Sequence, residues 1–253
     1  MKEFLRIDDW ERFPTLAHGF GTAFCGFTGL DGDDNSVEMR KQELVRLASQ
    51  RAMESFGPSF DRVLTVKQIH STRIHCVHRD DVTPESYSLE CDALLTDKPG
   101  LLIAVKTADC LPILIFDPEK KVVGAVHAGW RGSLDEILIH AMEAMQSEFG
   151  SHVNTLRVGL GPCAKGCCYE VSDDLADQFL RKYGDEALAP VCWTTHLDLT
   201  RVNEIQAMRY GVLPEYVSRL DYCTICGKEP LLYSFRRDKG RTGRLLNVIG
   251  LCE

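Results

Sequence analysis

Apolar residues recur along this chain at two spacings, and the change from one to the other marks its elements. Val37, Leu44, Leu47, Ala48 and Ala52 share one side of a helix. It starts near Ser36 or Val37, with Asp33, Asp34, Asn35 and Ser36 as capping residues, and Gly57-Pro58 ends it. Arg62 to Val66 and Thr72 to His78 fit strands; Ile74, Cys76 and His78 alternate with polar or basic neighbours, Val77 excepted. Leu101 to Val105, Ile113 to Phe116 and Val122 to Val126 are short runs rich in branched residues, the pattern of buried strands. Asp117-Pro118-Glu119-Lys120 is a turn that makes a hairpin of the last two. After Ser133, the stripe Leu134, Ile137, Leu138, Ala141, Met142 and Met145 predicts a helix stopped by Gly150. Leu156 to Leu160 is a further strand. Helices follow over Asp173 to Tyr183, capped by Ser172, and over Arg201 to Tyr210 before Gly211. From Asp221 the chain is irregular until a final strand at Leu245 to Ile249.

Strands and helices alternate, but the hairpin breaks a pure βαβ order. The expected fold is therefore mixed α/β with mixed rather than all-parallel sheets. No Pro/Gly/Ser-rich linker interrupts residues 1–253, so a single domain is expected. At 44% hydrophobic and 26% charged residues, a chain of this length buries a core without staples.

A net charge of -8 argues against charge-driven binding to nucleic acid or an acidic membrane. Lys106, Asp109 and Pro112 interrupt the longest nearly apolar stretch, Leu101 to Phe116, which falls short of the roughly 20 residues of a span. Acidic residues stand near the N-terminus where a signal peptide would be apolar, which predicts a cytoplasmic protein. Eleven cysteines, an odd number without an export signal, are expected to be mostly reduced.

Three apolar strands run straight into polar clusters, and strand ends are where α/β proteins build sites. In His127-Ala128-Gly129-Trp130-Arg131-Gly132 the glycines allow a close approach to a ligand. Arg131 brings a planar fork suited to phosphate or carboxylate, and a helix opening at Ser133 would offer free N–H groups to an anion. The bland alternative is a hydrogen-bonded core histidine with a surface arginine. In Thr107-Ala108-Asp109-Cys110-Leu111-Pro112 a carboxylate and a thiol sit side by side, and a metal or imidazolium would hold the thiol ionised. Val66-Lys67-Gln68-Ile69-His70 supplies the third cluster. His70, Cys110 and His127 together make a three-ligand set with an open fourth position, the pattern of a catalytic zinc. Their separations of 40 and 17 residues are too long for a local motif. His75 and His78 are nearby rivals that fit ordinary strand positions. A competing metal site pairs Cys223 and Cys226 with Cys167 and Cys168; one CxxC is a half-site, and adjacent cysteines make a poor second half. Arg236, Arg237, Arg241 and Arg244 form a basic cluster, either a solvated face or an anion site.

These segments carry a resemblance. Gln68-Ile69-His70, Cys91-Asp92-Ala93-Leu94-Leu95-Thr96, the TADCLP and HAGWRG segments, Gly161-Pro162, Cys168-Tyr169-Glu170-Val171, Cys223-Thr224-Ile225-Cys226, Tyr233-Ser234-Phe235-Arg236-Arg237 and Thr242-Gly243-Arg244 resemble the YfiH-like family in the expected order. That family is also labelled multicopper polyphenol oxidase or laccase-domain, and more recently purine nucleoside phosphorylase with adenosine deaminase activity. The resemblance implies a compact α/β sandwich of mixed sheets with a pocket at these loops, and a zinc held by His70, Cys110 and His127. Purine nucleosides (adenosine, inosine, guanosine or methylthioadenosine) and inorganic phosphate would be the substrates. One departure stands out: Ala23 occupies the place of an arginine expected in the stretch Phe20 to Thr28.

Two chemistries must then share one site. Deamination needs a water made nucleophilic near neutral pH, with Asp109 expected to shuttle the proton. Phosphorolysis needs an anion site, expected at Arg131 and Ser133, whose bound phosphate steadies an oxocarbenium-like sugar. Three other readings stand beside this one. A copper-dependent phenol oxidase would use the same ligands with Cu2+, although eight histidines are few for a multicopper cluster. A cysteine amidase would use Cys110 as nucleophile with His70 or His127 as base. A metal-dependent partner-binding domain would do no chemistry.

Overall fold

The computed structural model describes residues 2–27, 35–77, 89–191 and 194–252. Its first elements are β1 (Phe4–Leu5), β2 (Leu16–Gly21), α1 (Asn35–Phe56), β3 (Arg62–Leu64), β4 (Ile74–Cys76), β5 (Ala93–Thr96), β6 (Leu101–Thr107), β7 (Leu111–Asp117) and β8 (Val122–Ala128). There follow α2 (Trp130–Leu134), α3 (Ile137–Phe149), β9 (Arg157–Leu160), α4 (Asp173–Tyr183), β10 (Leu188–Val191), β11 (Thr194–Leu197), α5 (Leu199–Tyr210), β12 (Val217–Arg219) and β13 (Leu245–Leu251).

Two sheets carry the fold: a five-stranded one in the order β1-β2-β13-β6-β3 and a six-stranded one in the order β12-β9-β7-β8-β5-β4. Both mix directions, as the hairpin requires. β7 runs antiparallel to β8 and β9, β4 parallel to β5, and β3 parallel to β6. Strict alternation along the apolar runs places the layers. Leu101, Ile103 and Val105 of β6 cluster with Leu114 and Phe116 of β7 and with Val123 and Ala125 of β8, between the sheets. Leu102 and Ala104 turn the other way and share a cluster with Ala48 and Ala52 of α1. Ile113, Ile115 and Val126 face Ile137, Leu138 and Met142 of α3 and Val202 of α5. The result is a sandwich of mixed sheets with helices outside each, the expected α/β class. Both sheets are covered on both faces, so their central strands are apolar throughout rather than alternating. Among the described residues no helix is long and apolar enough to cross a membrane.

Several boundaries differ from the sequence-based expectation. Ser133 does not open a helix: it lies inside α2, its N–H bonded to Gly129 O at 2.8 Å. The chain then breaks at Glu136, which takes φ 61, before α3 begins. Ser172 stands at the N-cap of α4, but its side chain makes no capping bond there. Asp198 does cap α5 by accepting from Arg201 N, so that helix starts two residues earlier than Arg201. β2 was not expected, because Leu16-Ala-His-Gly-Phe-Gly has neither alternation nor branched residues, yet it is buried throughout. The β10–β11 hairpin was also missed. Asp33, Asp34, His78, Cys192 and Thr28 lie outside the described residues, as do the side chains of Asn35, Ser36 and Val37.

Candidate metal centre

The site is assembled around one buried carboxylate. The segment after β3 is tied to β6 by Gln68, whose side chain donates to Lys106 O and accepts from Lys106 N, both at 2.8 Å. The chain then turns at His70, held at φ 59. A non-glycine residue in that region needs outside support. Asp92 gives it, accepting from Ile69 N at 3.3 Å, His70 N at 3.0 Å and Ser71 N at 2.6 Å, as well as from the Ser71 hydroxyl at 2.8 Å. The same carboxylate lies 2.8 Å from His127 Nδ1 near the end of β8. A carboxylate only accepts, so Nδ1 donates and Nε2 is left to bind. Asp92 itself is fully buried.

Cys110 enters from the β6–β7 connection, its sulfur 3.9 Å from His70 Nε2. The His70 and His127 rings meet edge to face, centroids 4.8 Å apart. The donor atoms of His70, Cys110 and His127 all fall within 4.8 Å of one another. Gly129 makes the space: a Cβ there would stand 3.1 Å from both Cys110 Sγ and His70 Cδ2. His75, on β4 beside Leu94, belongs to neither group of potential ligands found among the described residues.

Charge follows the geometry. Burial opposes ionisation of the Cys110 thiol, but the charge of His127 and hydrogen bonds from both imidazoles outweigh it and bring the thiol down to about 6. Burial likewise works against protonated His127, and the Cys110 thiolate with Asp92 overcomes it, raising His127 to about 9. For Asp92 burial is again opposed, by bonds from His127 and Ser71, and its carboxyl falls to about 2. Two imidazoles, a thiol inclined to ionise and an outer carboxylate fixing one tautomer form the donor set of a divalent ion that takes nitrogen and sulfur.

Asp109 sits at φ 88 and is spoken for at both oxygens: Thr224 Oγ1 donates to Oδ1 and Arg236 N to Oδ2, each at 2.6 Å. It anchors the C-terminal loop beside Cys110. Arg131 is exposed, its guanidinium 4.2 Å from the Trp130 ring centroid. Ser133 is wholly buried and its hydroxyl accepts from Asn203 Nδ2 at 2.9 Å, facing α5. The anion site expected at Ser133 is therefore not there. The C-terminal arginines divide. Arg237 is committed to Asp238 and to the carbonyls of Thr224 and Leu232. Arg244 is half-buried; burial disfavours its charge, and the negative groups of Cys110 and Asp109 oppose that effect. Arg244 also bridges to Phe27, close along the chain to Ala23.

A cavity of about 460 Å³, within the usual small-molecule range, opens beside the three donors and not over them; Trp130, Tyr169, Glu170 and Arg236 are among its walls. Burial, then the charge of Cys110, pushes the Tyr169 phenol up to about 12. Asp92 and Tyr169 stand in the sequence motifs without a particular role, and Arg244 only as one of a basic cluster. Only the fold shows which of them touch the site.

Fold and donor set together define an α/β sandwich protein with two histidines and one cysteine brought together where β8, the start of β7 and the β3–β4 loop meet. The chain belongs to the family described as multi-copper polyphenol oxidoreductase laccase, whose model matches residues 30–252. It is 36% identical over 249 residues to a purine nucleoside phosphorylase of Deinococcus radiodurans, covering 95% of this chain and 92% of that protein. It is 29% identical over 234 residues to "Adenosine deaminase RL5" from an unknown prokaryotic organism, covering 88% and 85%. The crystal structure of YfiH from Bacillus licheniformis superposes with a TM-score of 0.84 at 29% identity, covering 99% of this chain and 97% of that one.

Proposed function

We propose that this chain is a purine nucleoside phosphorylase that also deaminates adenosine, with zinc held by His70, Cys110 and His127. The observation that carries the reading is the convergence of those three donors beside an aromatic- and arginine-walled cavity. The names of relatives that cover most of the chain support the reaction class. When bound, zinc with an open fourth position supplies a Lewis acid and lowers the pKa of water to about 7.

The protein's own residues do the rest. Asp92 holds the Nδ1 proton of His127 and so turns Nε2 to the ion. Arg236 and Arg244 offer fixed cations for phosphate, and Arg131 adds charge at the Trp130 rim. Phosphate held there attacks C1′ of the ribose as the bond to the base breaks, and its charge steadies the sugar cation. Arg244 supplies a cation near the place where Ala23 lacks one. Asp109 positions Arg236 and Thr224 and carries no proton in this reading.

Copper-dependent phenol oxidation has less behind it, since reduction of O2 to water draws on several coppers. Among the described residues just one group of three or more potential ligands contains histidine. The test is incubation of zinc-loaded enzyme with adenosine, with and without phosphate, and chromatography of the products. Free adenine only when phosphate is present, and inosine in either case, is the expected result. Neither product from fully loaded enzyme would overturn the proposal.

A further inference from the structure

We propose that Cys167, Cys168, Cys223 and Cys226 form a second metal centre, an all-thiolate structural zinc site that clamps together the two loops beside the cavity. It is independent of the reaction proposed above. The four sulfurs lie within 4.8 Å of one another. A tetrahedral ion with sulfur at about 2.3 Å sets sulfur–sulfur edges of roughly 3.8 Å. Cys167 and Cys226 Sγ stand 3.7 Å apart, well beyond the roughly 2 Å of a disulfide. All four are free thiols.

The local backbone explains how adjacent cysteines reach one ion. In a strand, neighbours would point to opposite faces. Here Cys167 and Cys168 lie in a turn instead, with Cys168 N and Tyr169 N both bonded to Lys165 O at 2.9 Å. The partner CxxC is a tight knuckle: Gly227 N bonds to Cys223 O at 2.9 Å, and a Cβ at Gly227 would come within 2.4 Å of that oxygen, so only glycine fits. The two loops are aligned by a parallel bridge between Cys163 and Cys223 and by the bond from Thr224 N to Cys163 O at 3.0 Å. Backbone N–H groups of Cys226, Lys165 and Ile225 point at the Cys223 sulfur.

Four protein sulfurs fill a tetrahedron, which leaves no open position and defines a structural site. What it would hold in place is specific. Thr224, between Cys223 and Cys226, donates to Asp109 beside Cys110. Tyr169 and Glu170, next after Cys168, wall the cavity.

Metal analysis and alkylation mapping test this on full-length protein purified with zinc under reducing conditions. Wild type is expected to carry two zinc ions per chain, and Cys167→Ser/Cys226→Ser and His70→Ala one each. Cobalt-substituted His70→Ala keeps the sulfur-to-cobalt charge-transfer absorption of several thiolates, and the double serine variant keeps only the weaker band of Cys110. In wild type, where no substitution can disturb folding, chelation should speed iodoacetamide alkylation of the exposed Cys167 and Cys226 at least about tenfold. Equal zinc in wild type and the double serine variant, alkylation indifferent to chelation, a Cys167–Cys226 disulfide in the freshly reduced protein, or iron–sulfur absorption would each overturn the proposal.

Discussion

The two clusters of potential metal ligands are built by opposite means. His127 sits near the end of β8, Cys110 just before β7 and His70 in the loop between β3 and β4, and a fully buried Asp92 ties the two histidines together. Cys167, Cys168, Cys223 and Cys226 come from two surface turns and owe their meeting to backbone hydrogen bonds within and between those loops. The first arrangement has three donors and is bonded into the sheets through Asp92; the second has four and lies where the chain is irregular. Preorganisation by a sandwich suits a site whose open position must be kept in register with a substrate. A complete set of protein donors suits a place where loops need fastening.

The sharpest way to break the comparison is to remove the carboxylate that only the first centre has. Asp92→Ala leaves three backbone N–H groups and His127 Nδ1 without their acceptor. Loss of one partner from a buried charged network costs about 3–5 kcal/mol, so denaturant unfolding should show a loss of that order. Zinc at the histidine centre should weaken by at least about tenfold to a hundredfold, and the four-cysteine centre should keep its ion. A pH scan sharpens the point. Asp92 is lowered from an ordinary 3.8 to about 2. Its contribution of about 2 kcal/mol is therefore full above pH 3.8 and disappears as pH falls through 2. Wild type should lose more stability across that window than Asp92→Ala, and parallel acid limbs would show that the carboxylate is not the organiser.

A gentler variant separates space from charge. Gly129 has φ -74 and ψ 178, which alanine adopts without strain. Its new methyl would press on Cys110 and His70, each 3.1 Å away. Gly129→Ala should therefore change global stability by less than about 1 kcal/mol, while zinc affinity at this centre, read by chelator competition, falls about tenfold. Unchanged affinity would mean that the donors tolerate more slack than their fixed positions imply.

The contrast also explains what the sequence could disclose. Leu101 to Val105 and Val122 to Val126 are continuous apolar runs because both sheets are buried on both faces, so the central strands were plain. Strand ends were plain for the same reason, and they named His70, Cys110 and His127. Asp92 was not, because a carboxylate between Cys91 and Ala93 at the start of a short strand resembles any surface acid until the fold buries it. Ser133 misled because the helix stripe begins near it, yet the short α2 forms first and turns its hydroxyl inward. Adjacent Cys167 and Cys168 make a poor half-site by spacing alone, and the turn they lie in is what brings both sulfurs to one side. Local spacing betrays elements and knuckles; long-range convergence and burial of a polar group belong to the tertiary structure.

The smallest expected effect concerns Asp109, whose neighbours bear on both centres. Its two oxygens accept from Thr224, in the CxxC knuckle, and from Arg236 N, at the cavity. Asparagine can keep both contacts: its oxygen still accepts from Arg236 N, and its amide can donate to the Thr224 hydroxyl, which also accepts. Asparagine also tolerates the positive φ of this position better than most residues. If Asp109 only positions these groups, Asp109→Asn should keep deamination and phosphorolysis within about tenfold of wild type, roughly 1.4 kcal/mol, with unaltered pH profiles. Asp109→Ala, which loses both contacts, should fall further, mainly through KM as Arg236 loosens. A proton shuttle predicts the opposite order: asparagine would be as inactive as alanine in deamination, and the limb of the pH profile owed to the carboxylate would vanish. Side-by-side kinetics of the two variants across pH decide which link joins the loop staple to the reacting centre.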